Sequence, residues 1–349
     1  MTVHNSKRRL RVLLFLLLLL TALPALAAEA PLRVCATVPE LGSLATEIGG
    51  ENVRVTVFAK ETEDPHYLDA RPSFIKALSE ADLFILVGLD LEVGWAPLLL
   101  KSSRNSRVQE GAPGYLDASR SIDPLEIPAG VIDRSMGDVH PEGNPHYLAD
   151  PLNGLKVAAL IRDRLAELRP AARDYFQLRY EDFRQRLGEA MVGKPLAKKY
   201  DFEQLALLHQ HRKLGEFLEK QGDMTLLGGW LGRLRPYRGS KIITYHKSWP
   251  YLAQRFDLTV AGHLEPKPGI PHSPGYLLQV IQSARTDGVG VILMEPWLDN
   301  KAAEFVAGKI GARVVQVSTS STRGEGSYSY LNAMDRIVRL LAEGLSPTP

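Results

Sequence analysis

The sequence LFILV at residues 83–87 decides how this chain folds. It is an unbroken apolar run, as expected of a strand that is buried on both faces of a parallel sheet. Strand patterns precede it at residues 32–38 and 53–58, and helical patterns lie between them at residues 40–49 and 72–80. This alternation predicts a parallel sheet with helices on both faces.

The second half of the chain repeats this rhythm. Strand patterns lie at residues 241–245, 258–261, 289–294 and 312–317, with helical patterns at 250–256, 277–285, 302–308 and 330–343. A helix at 151–168 with Asp150 as its N-cap, and a polar helix at about 171–191, separate the halves. The polar helix is either a stiff rod between two lobes or an ordinary surface helix. Residues 202–238 have no clear assignment.

The N-terminus has the pattern of a secretory signal peptide. Basic residues at 7, 8, 9 and 11 precede an apolar run at 12–20, and Ala25-Leu26-Ala27 forms an A-x-A cleavage site near Ala27. The single cysteine, Cys35, follows Arg33 and Val34, where a lipid anchor would require small residues. We therefore expect a periplasmic protein without a lipid anchor, in which Cys35 is a small buried apolar residue.

The composition excludes some classes of partner. Of 349 residues, 45% are apolar and 23% are charged, and the net charge is +2. These values are ordinary for a soluble globular protein and give no bulk attraction to nucleic acid or anionic lipid.

Two histidines lie in a repeated sequence. DPHYL at residues 64–68 recurs as NPHYL at residues 144–148, so that His66 and His146 each follow a proline that restricts the backbone. A helix that begins with proline follows each copy within a few residues. We expect each histidine to be held on a short, stiff loop. His140, close to His146, is a candidate for a lid over the same site.

Further polar residues follow the strands of the second half. His246 follows the strand pattern at 241–245, Glu295 follows that at 289–294, and Ser318 and Thr319 follow that at 312–317. The carboxyl ends of parallel strands line the crevice where ligands bind. Three neutral imidazoles suit zinc and leave one tetrahedral position open. We therefore predict a metal site at His66, His146 and His246.

Four blocks of sequence in this order resemble the metal-binding receptors of zinc and manganese ABC importers, the cluster A-I family of periplasmic binding proteins. The resemblance covers nearly all of the mature chain. The blocks are DPH at 64–66 followed by RPS at 71–73, NPH at 144–146 with Asp150-Pro151, Tyr245-His246, and VILMEP at 291–296.

The resemblance implies an α/β fold of two doubly wound parallel-sheet lobes, joined by one long rigid helix, with the metal site in the cleft. Its first three ligands fall on His66, His146 and His246. The family's usual fourth ligand is an aspartate, but that place reads Ser318 here. Glu295 is the nearest replacement, and a water, alone or held by Ser318, is the other option.

The resemblance also implies domains and partners. We expect a signal peptide at 1–27, lobes at 28–168 and 196–349, and a linking helix at 169–195. An imidazole as third ligand favours a zinc ion, with manganese less favoured. The partner would be the permease of an ABC importer in the inner membrane, and the receptor a monomer that is not an enzyme. The long histidine-rich loop of many zinc-specific relatives is absent between residues 136 and 144.

Two other functions fit parts of the pattern. A three-histidine site with an open position and Glu295 as general base would suit a zinc-dependent hydrolase. The sequence has none of the usual hydrolase motifs, such as H-E-x-x-H. A receptor for a larger ligand would need arginines or aromatic residues around a wide crevice.

Overall fold

The computed structural model describes residues 29–130, 137–318 and 329–347, so the predicted signal peptide and its cleavage site lie outside the described residues. Two parallel sheets of four strands organise the chain from residue 32 onward. The strands are β1 (Leu32–Ala36), β2 (Val53–Val57), β3 (Leu83–Leu86), β4 (Tyr115–Asp117), β5 (Lys241–Thr244), β6 (Thr259–His263), β7 (Val291–Met294) and β8 (Arg313–Gln316).

Both sheets have the same strand order. It is β2-β1-β3-β4 in the first sheet and β6-β5-β7-β8 in the second. The prediction of two α/β lobes with parallel sheets is therefore confirmed. β3 and β7 are buried at every position, as their unbroken apolar sequences predicted.

Helices connect the strands and cover the sheets. Many begin with proline in their first turn, where its missing N–H leaves no hydrogen bond unmade. The helices are α1 (Pro39–Gly49), α2 (Pro72–Ser79), α3 (Ala96–Ser103), α4 (Pro151–Leu168), α5 (Arg173–Val192), α6 (Lys194–Lys199), α7 (Phe202–Gln210), α8 (Leu214–Gln221), α9 (Gly229–Leu234), α10 (Pro250–Arg255), α11 (Pro274–Asp287), α12 (Asn300–Ile310) and α13 (Tyr330–Leu345).

One apolar core runs through both lobes. It extends from Val34 and Ile85 of the first sheet, past Phe176 of α5, to Ile242 and Leu293 of the second sheet. A large apolar interface of this kind resists relative motion of two lobes. Each sheet also has a separate apolar cluster on its other face. Cys35 belongs to the outer cluster of the first lobe, and burial raises the pKa of its thiol to about 12.

The polar helix predicted at about residues 171–191 corresponds to α5, and this helix joins the two lobes. Its buried residues recur every three or four positions and form one stripe. α5 packs against α1 and α4 of the first lobe and against α9, which in turn contacts α13. The region at 202–238 contains α7, α8 and α9. No helix among the described residues is long and apolar enough to span a bilayer.

Candidate metal centre

The three predicted histidines lie together between the two sheets. His246 follows β5 by two residues, His66 lies in the loop between β2 and α2, and His146 precedes α4. One ring nitrogen of each lies within 4.8 Å of the other two. The ring centroids are 5.3 Å apart for His66 and His146, 5.5 Å for His66 and His246, and 5.4 Å for His146 and His246. Their role as ligands stays a prediction.

Two carboxylates orient two of the imidazoles. Nδ1 of His66 lies 2.7 Å from Oδ1 of Asp64, and Nδ1 of His246 lies 2.7 Å from Oε2 of Glu265. A carboxylate on one ring nitrogen fixes the tautomer and leaves the other nitrogen for a metal. Nε2 of His66 and Nε2 of His146 are sealed from solvent and have no hydrogen-bond partner among the described residues. This arrangement is typical of metal-ligating histidines.

The carboxylates also change the pKa values in the cluster. Burial alone would raise the pKa of Asp64, but its hydrogen bond to His66 more than offsets this, and its pKa is lowered. Burial alone would lower the pKa of His246, but its hydrogen bond to the carboxylate of Glu265 and the nearby charge of Glu295 raise it. Burial, and then the charge of His66, lower the pKa of His146 well below its ordinary value.

The segment that carries His146 is bonded to the second lobe. The side chain of Asn144 accepts a hydrogen bond from the amide of His146 (2.9 Å) and donates one to the carbonyl oxygen of Lys247 (2.7 Å). The hydroxyl of Tyr251 donates to the carbonyl oxygen of Asn144 (2.8 Å). His146 is therefore tied directly to the residues that follow His246.

A buried ion pair strengthens this connection. Nε and one Nη of Arg255, in α10, each lie 2.7 Å from an oxygen of Asp150. Asp150 is also the N-cap of α4 and accepts a hydrogen bond from the amide of Leu152 (2.9 Å). The side chains of Arg255 and Asp150 are only 13% and 7% exposed, so the bidentate pair is shielded from water.

The loop that carries His66 is held mainly by contacts within the first lobe. Nε1 of Trp95 donates to the carbonyl oxygen of Pro65 (2.9 Å), which fixes the backbone next to the histidine. Arg71 pairs with Glu63 (2.6 Å) across the same loop.

A short bridge of polar contacts lies above the histidines. The hydroxyl of Tyr67 bonds to the carboxylate of Asp138, and the amide of Asp138 donates to the carbonyl oxygen of Pro268 (2.9 Å). Gly269, with φ +71°, leaves room for this carboxylate, which a side chain there would meet. The ring of His140, two residues beyond Asp138, lies 5.4 Å from that of His66. His140 therefore lies beside the cluster, and its role in a lid stays a prediction.

Glu295 lies close to His246, but it does not belong to the group of three side chains whose ligand atoms lie within 4.8 Å of one another. Its side chain is 1% exposed, and neither oxygen makes a hydrogen bond of good geometry with a described residue. Burial raises the pKa of Glu295 to about 7, although the charge of His246 and the hydroxyl of Ser248 oppose the rise. Ser318 is buried at the end of β8, and Thr319 lies outside the described residues.

Sequence reasoning did not identify Asp64 and Glu265 as partners of the histidines. The contact of Asp64 was predictable from the local sequence. An aspartate or asparagine side chain commonly accepts a hydrogen bond from the backbone amide two residues later, as Asp64 does from the amide of His66 (3.0 Å). Glu265 lies 19 residues beyond His246 and had no comparable signal.

Two α/β lobes with a buried cluster of imidazoles between their sheets define a metal-binding solute receptor. The family described as "Zinc-uptake complex component A periplasmic" matches residues 34–217 and 232–344. The chain belongs to this family of substrate-binding receptors of ABC importers. Because its members are receptors and not enzymes, the hydrolase alternative is excluded.

Relatives named for two metals align over most of the chain. The manganese-binding lipoprotein MntA of Halalkalibacterium halodurans is 23% identical, over 90% of this chain and 89% of the relative. The high-affinity zinc uptake system protein ZnuA of Yersinia pestis is 22% identical, over 80% of this chain and 79% of the relative. A crystal structure of ZnuA superposes with a TM-score of 0.65 at 23% identity, over 90% of this chain and all of that one.

Proposed function

We propose that this protein captures one zinc ion with His66, His146 and His246 and delivers it to the membrane permease of an ABC importer. The observation that carries the proposal is the convergence of three imidazoles, with two Nε2 atoms sealed from solvent and unpartnered. An unpaired buried polar atom is costly, and a metal ion would satisfy both.

The donor atoms favour zinc over manganese. Neutral imidazoles suit zinc, copper and nickel, whereas carboxylate and water oxygens suit manganese. All three clustered donors are nitrogens, and the carboxylates of Asp64 and Glu265 bond to the Nδ1 atoms of His66 and His246. Because relatives are named for zinc and for manganese, this donor set is the argument that separates the two metals.

Glu295 is our proposed fourth ligand. Its two oxygens are buried, lack well-formed hydrogen bonds and lie close enough to His246 for its charge to raise the pKa of that imidazole. A divalent ion held by neutral imidazoles would gain from a nearby negative charge in a site shielded from water. Binding would require a short movement of Glu295 towards the cluster, or a water between the carboxylate and the ion.

The cellular setting follows from the same proposal. A secretory signal peptide with cleavage near Ala27 would place the receptor in the periplasm, where it meets the ion and the permease. All three histidines come from one chain, which supports a monomer as the working unit.

Elemental analysis of the purified mature protein tests the proposal. We expect about one zinc per chain in the parent and none in a His66→Ala, His146→Ala, His246→Ala variant. His211→Ala is the matched control, because His211 is exposed, and it should keep the metal. Equal metal in the parent and the triple variant, or none in either, would contradict the proposal.

A further inference from the structure

A cavity of about 190 Å³ connects the histidine cluster with the protein surface. His140, His146 and His246 lie in its wall. Glu126 lies in the same wall and is exposed, so the cavity is open to solvent on this side. One water fits into a cavity of about 10–15 Å³, so this space holds several waters. It is therefore large enough to admit a hydrated ion to the histidines.

A second cavity at the cluster is a poorer route for an ion. It has a volume of about 60 Å³, and His146 and Glu295 lie in its wall. Most of this wall is apolar, with Val38, Leu91 and Leu148 among its residues. A cation that leaves water needs polar atoms along its path, which apolar side chains do not supply. We therefore take the larger cavity as the route of entry.

The charges of the larger cavity also favour a cation. Two carboxylates, those of Glu126 and Asp138, face one amine, that of Lys247, among the described residues of the wall. An excess of negative charge in a cleft raises the local concentration of cations.

His140 has an unused ring nitrogen in this cavity. Its Nε2 is sealed from solvent and has no hydrogen-bond partner among the described residues, as is also found for His66 and His146. The ring donates a hydrogen bond to the backbone of Leu89, and because Nε2 has no partner, Nδ1 is the donor. Burial, and then the charges of His66 and His246, lower the pKa of His140 to about 4. A neutral imidazole with one nitrogen fixed and the other unpaired is prepared to bind a metal.

The turn that holds His140 has an unusual backbone. Residues 88–90 follow β3 and have φ values of +80°, +50° and +62°. This left-handed conformation is costly for residues other than glycine. The buried carboxylate of Glu92 holds the turn, since it accepts a hydrogen bond from the amide of Gly88 (3.1 Å). A strained turn that is fixed in this way is typical of a functional position, and here it supplies the carbonyl oxygen of Leu89 to His140.

His140 lies beside the candidate ligands and does not belong to their group. Its ring centroid is 5.4 Å from that of His66, and the rings of the three candidate ligands have similar spacings of 5.3, 5.5 and 5.4 Å. The group whose ligand atoms lie within 4.8 Å of one another does not include His140. An ion between His66 and His140 would therefore precede the ion bound by all three ligands.

We propose that His140 is the entry ligand of the metal centre. The incoming zinc ion first binds between the Nε2 atoms of His140 and His66, and it then exchanges His140 for His146 and His246 while its remaining waters pass into the cavity. The inference rests on the proposed function and adds the path of the ion to it. A ligand that is used only during transfer lowers the barrier in both directions and leaves the affinity of the bound state unchanged.

Stopped-flow mixing of metal-free protein with zinc tests the entry ligand, with a weak fluorescent indicator reporting free zinc. We expect His140→Ala to slow association at least about tenfold and to slow release by a similar factor, so that the affinity changes by less than about threefold. His140→Phe keeps a ring without a metal-binding nitrogen and should behave in the same way. His211→Ala, at an exposed residue, is the matched control and should exchange zinc as the parent does.

Two kinetic outcomes would overturn the inference. Association as fast as in the parent in both His140 variants would exclude a role in entry. Faster release with unchanged association would assign His140 to a lid or to the permanent ligands instead.

The pair of His66 and His140 can also be measured without the other ligands. A His146→Ala, His246→Ala variant keeps this pair, and electron paramagnetic resonance should show one Cu²⁺ bound by two imidazole nitrogens. Addition of His140→Ala should remove one nitrogen from the hyperfine pattern and weaken Cu²⁺ binding at least about tenfold. The same nitrogen count and affinity with and without His140 would contradict the pair. Because zinc binding by the parent does not enter this experiment, it distinguishes failure of the entry ligand from failure of the proposed function.

Discussion

The segment of His146 and the loop of His66 hold their histidines in different ways. The His146 segment crosses to the second lobe through the contacts of Asn144 with Lys247 and Tyr251 and through the ion pair of Asp150 with Arg255. The His66 loop is fixed by Trp95 and by internal contacts.

This difference divides the candidate ligands into two groups. His146 and His246 are tied to each other across the two lobes, whereas His66 is held by contacts within the first lobe. Because the lobes also share a continuous apolar core, we expect capture of the ion to involve the loops above the cluster more than closure of the lobes.

The largest expected effect comes from removal of a single ligand. His246→Ala should lower zinc affinity by more than about 100-fold, because two imidazoles remain where three were present. His146→Ala should do the same. Calorimetric titration with a competing chelator measures both, and His211→Ala is the control. A loss of less than tenfold in His246→Ala would show that the second-lobe ligand is another residue.

The next effect concerns the connection between the lobes. Arg255→Ala leaves Asp150 buried without its partner, which typically costs about 3–5 kcal/mol of unfolding free energy. Zinc affinity should fall as well, since the His146 segment loses an anchor. Arg339→Ala breaks an exposed pair with Glu343 and should change stability by less than about 1 kcal/mol. Chemical denaturation of the metal-free proteins measures the loss of unfolding free energy in each variant. Equal losses would mean that the ion pair between Arg255 and Asp150 stabilises the protein no more than an exposed pair does.

A smaller effect is expected from the partner of His246. Because the pKa of His246 is raised, protons should compete with zinc from above pH 6.5 downward in the parent. Glu265→Gln removes the hydrogen bond that raises this pKa, so the pH midpoint of zinc binding should move lower. Affinity at pH 8 should fall about 10- to 100-fold, as for other outer-shell partners of metal ligands.

The pH profile distinguishes this electrostatic role from a general loss of structure. Glu216→Gln, which alters an exposed pair with Lys220, provides the control. An unchanged midpoint in Glu265→Gln would mean that Glu265 does not control the protonation of His246.

The smallest effect should come from the bridge above the cluster. Tyr67→Phe removes the hydroxyl that bonds to Asp138, so zinc should be released faster, while the equilibrium affinity changes less than about tenfold. Stopped-flow transfer of zinc to a fluorescent chelator measures the release rate. If release is as slow in Tyr67→Phe as in the parent, the bridge does not act as a lid.

The sequence predicted the fold well where apolar patterns are long. The predicted helix at 151–168 has those bounds in α4, because Asp150 and Pro151 mark its start. β4 and α3 were missed, since β4 has only three residues and only one of them is fully buried. The start of α11 was predicted three residues late, because Ser273 was not recognised as its N-cap.

The convergence of the histidines was predictable because each lies at a loop or strand end. The contacts that position them were not. Arg255 and Asp150 are 105 residues apart, and no local pattern joins them. Contacts of this kind depend on the three-dimensional packing of two lobes, which the periodicity of a single sequence does not determine.

The most direct test of the zinc site is a crystal structure of the zinc-loaded protein with anomalous data at the zinc edge. We predict one strong peak about 2.0–2.1 Å from a ring nitrogen of each of His66, His146 and His246. A peak away from this cluster, or one that leaves His246 unligated, would contradict the assignment of the metal centre.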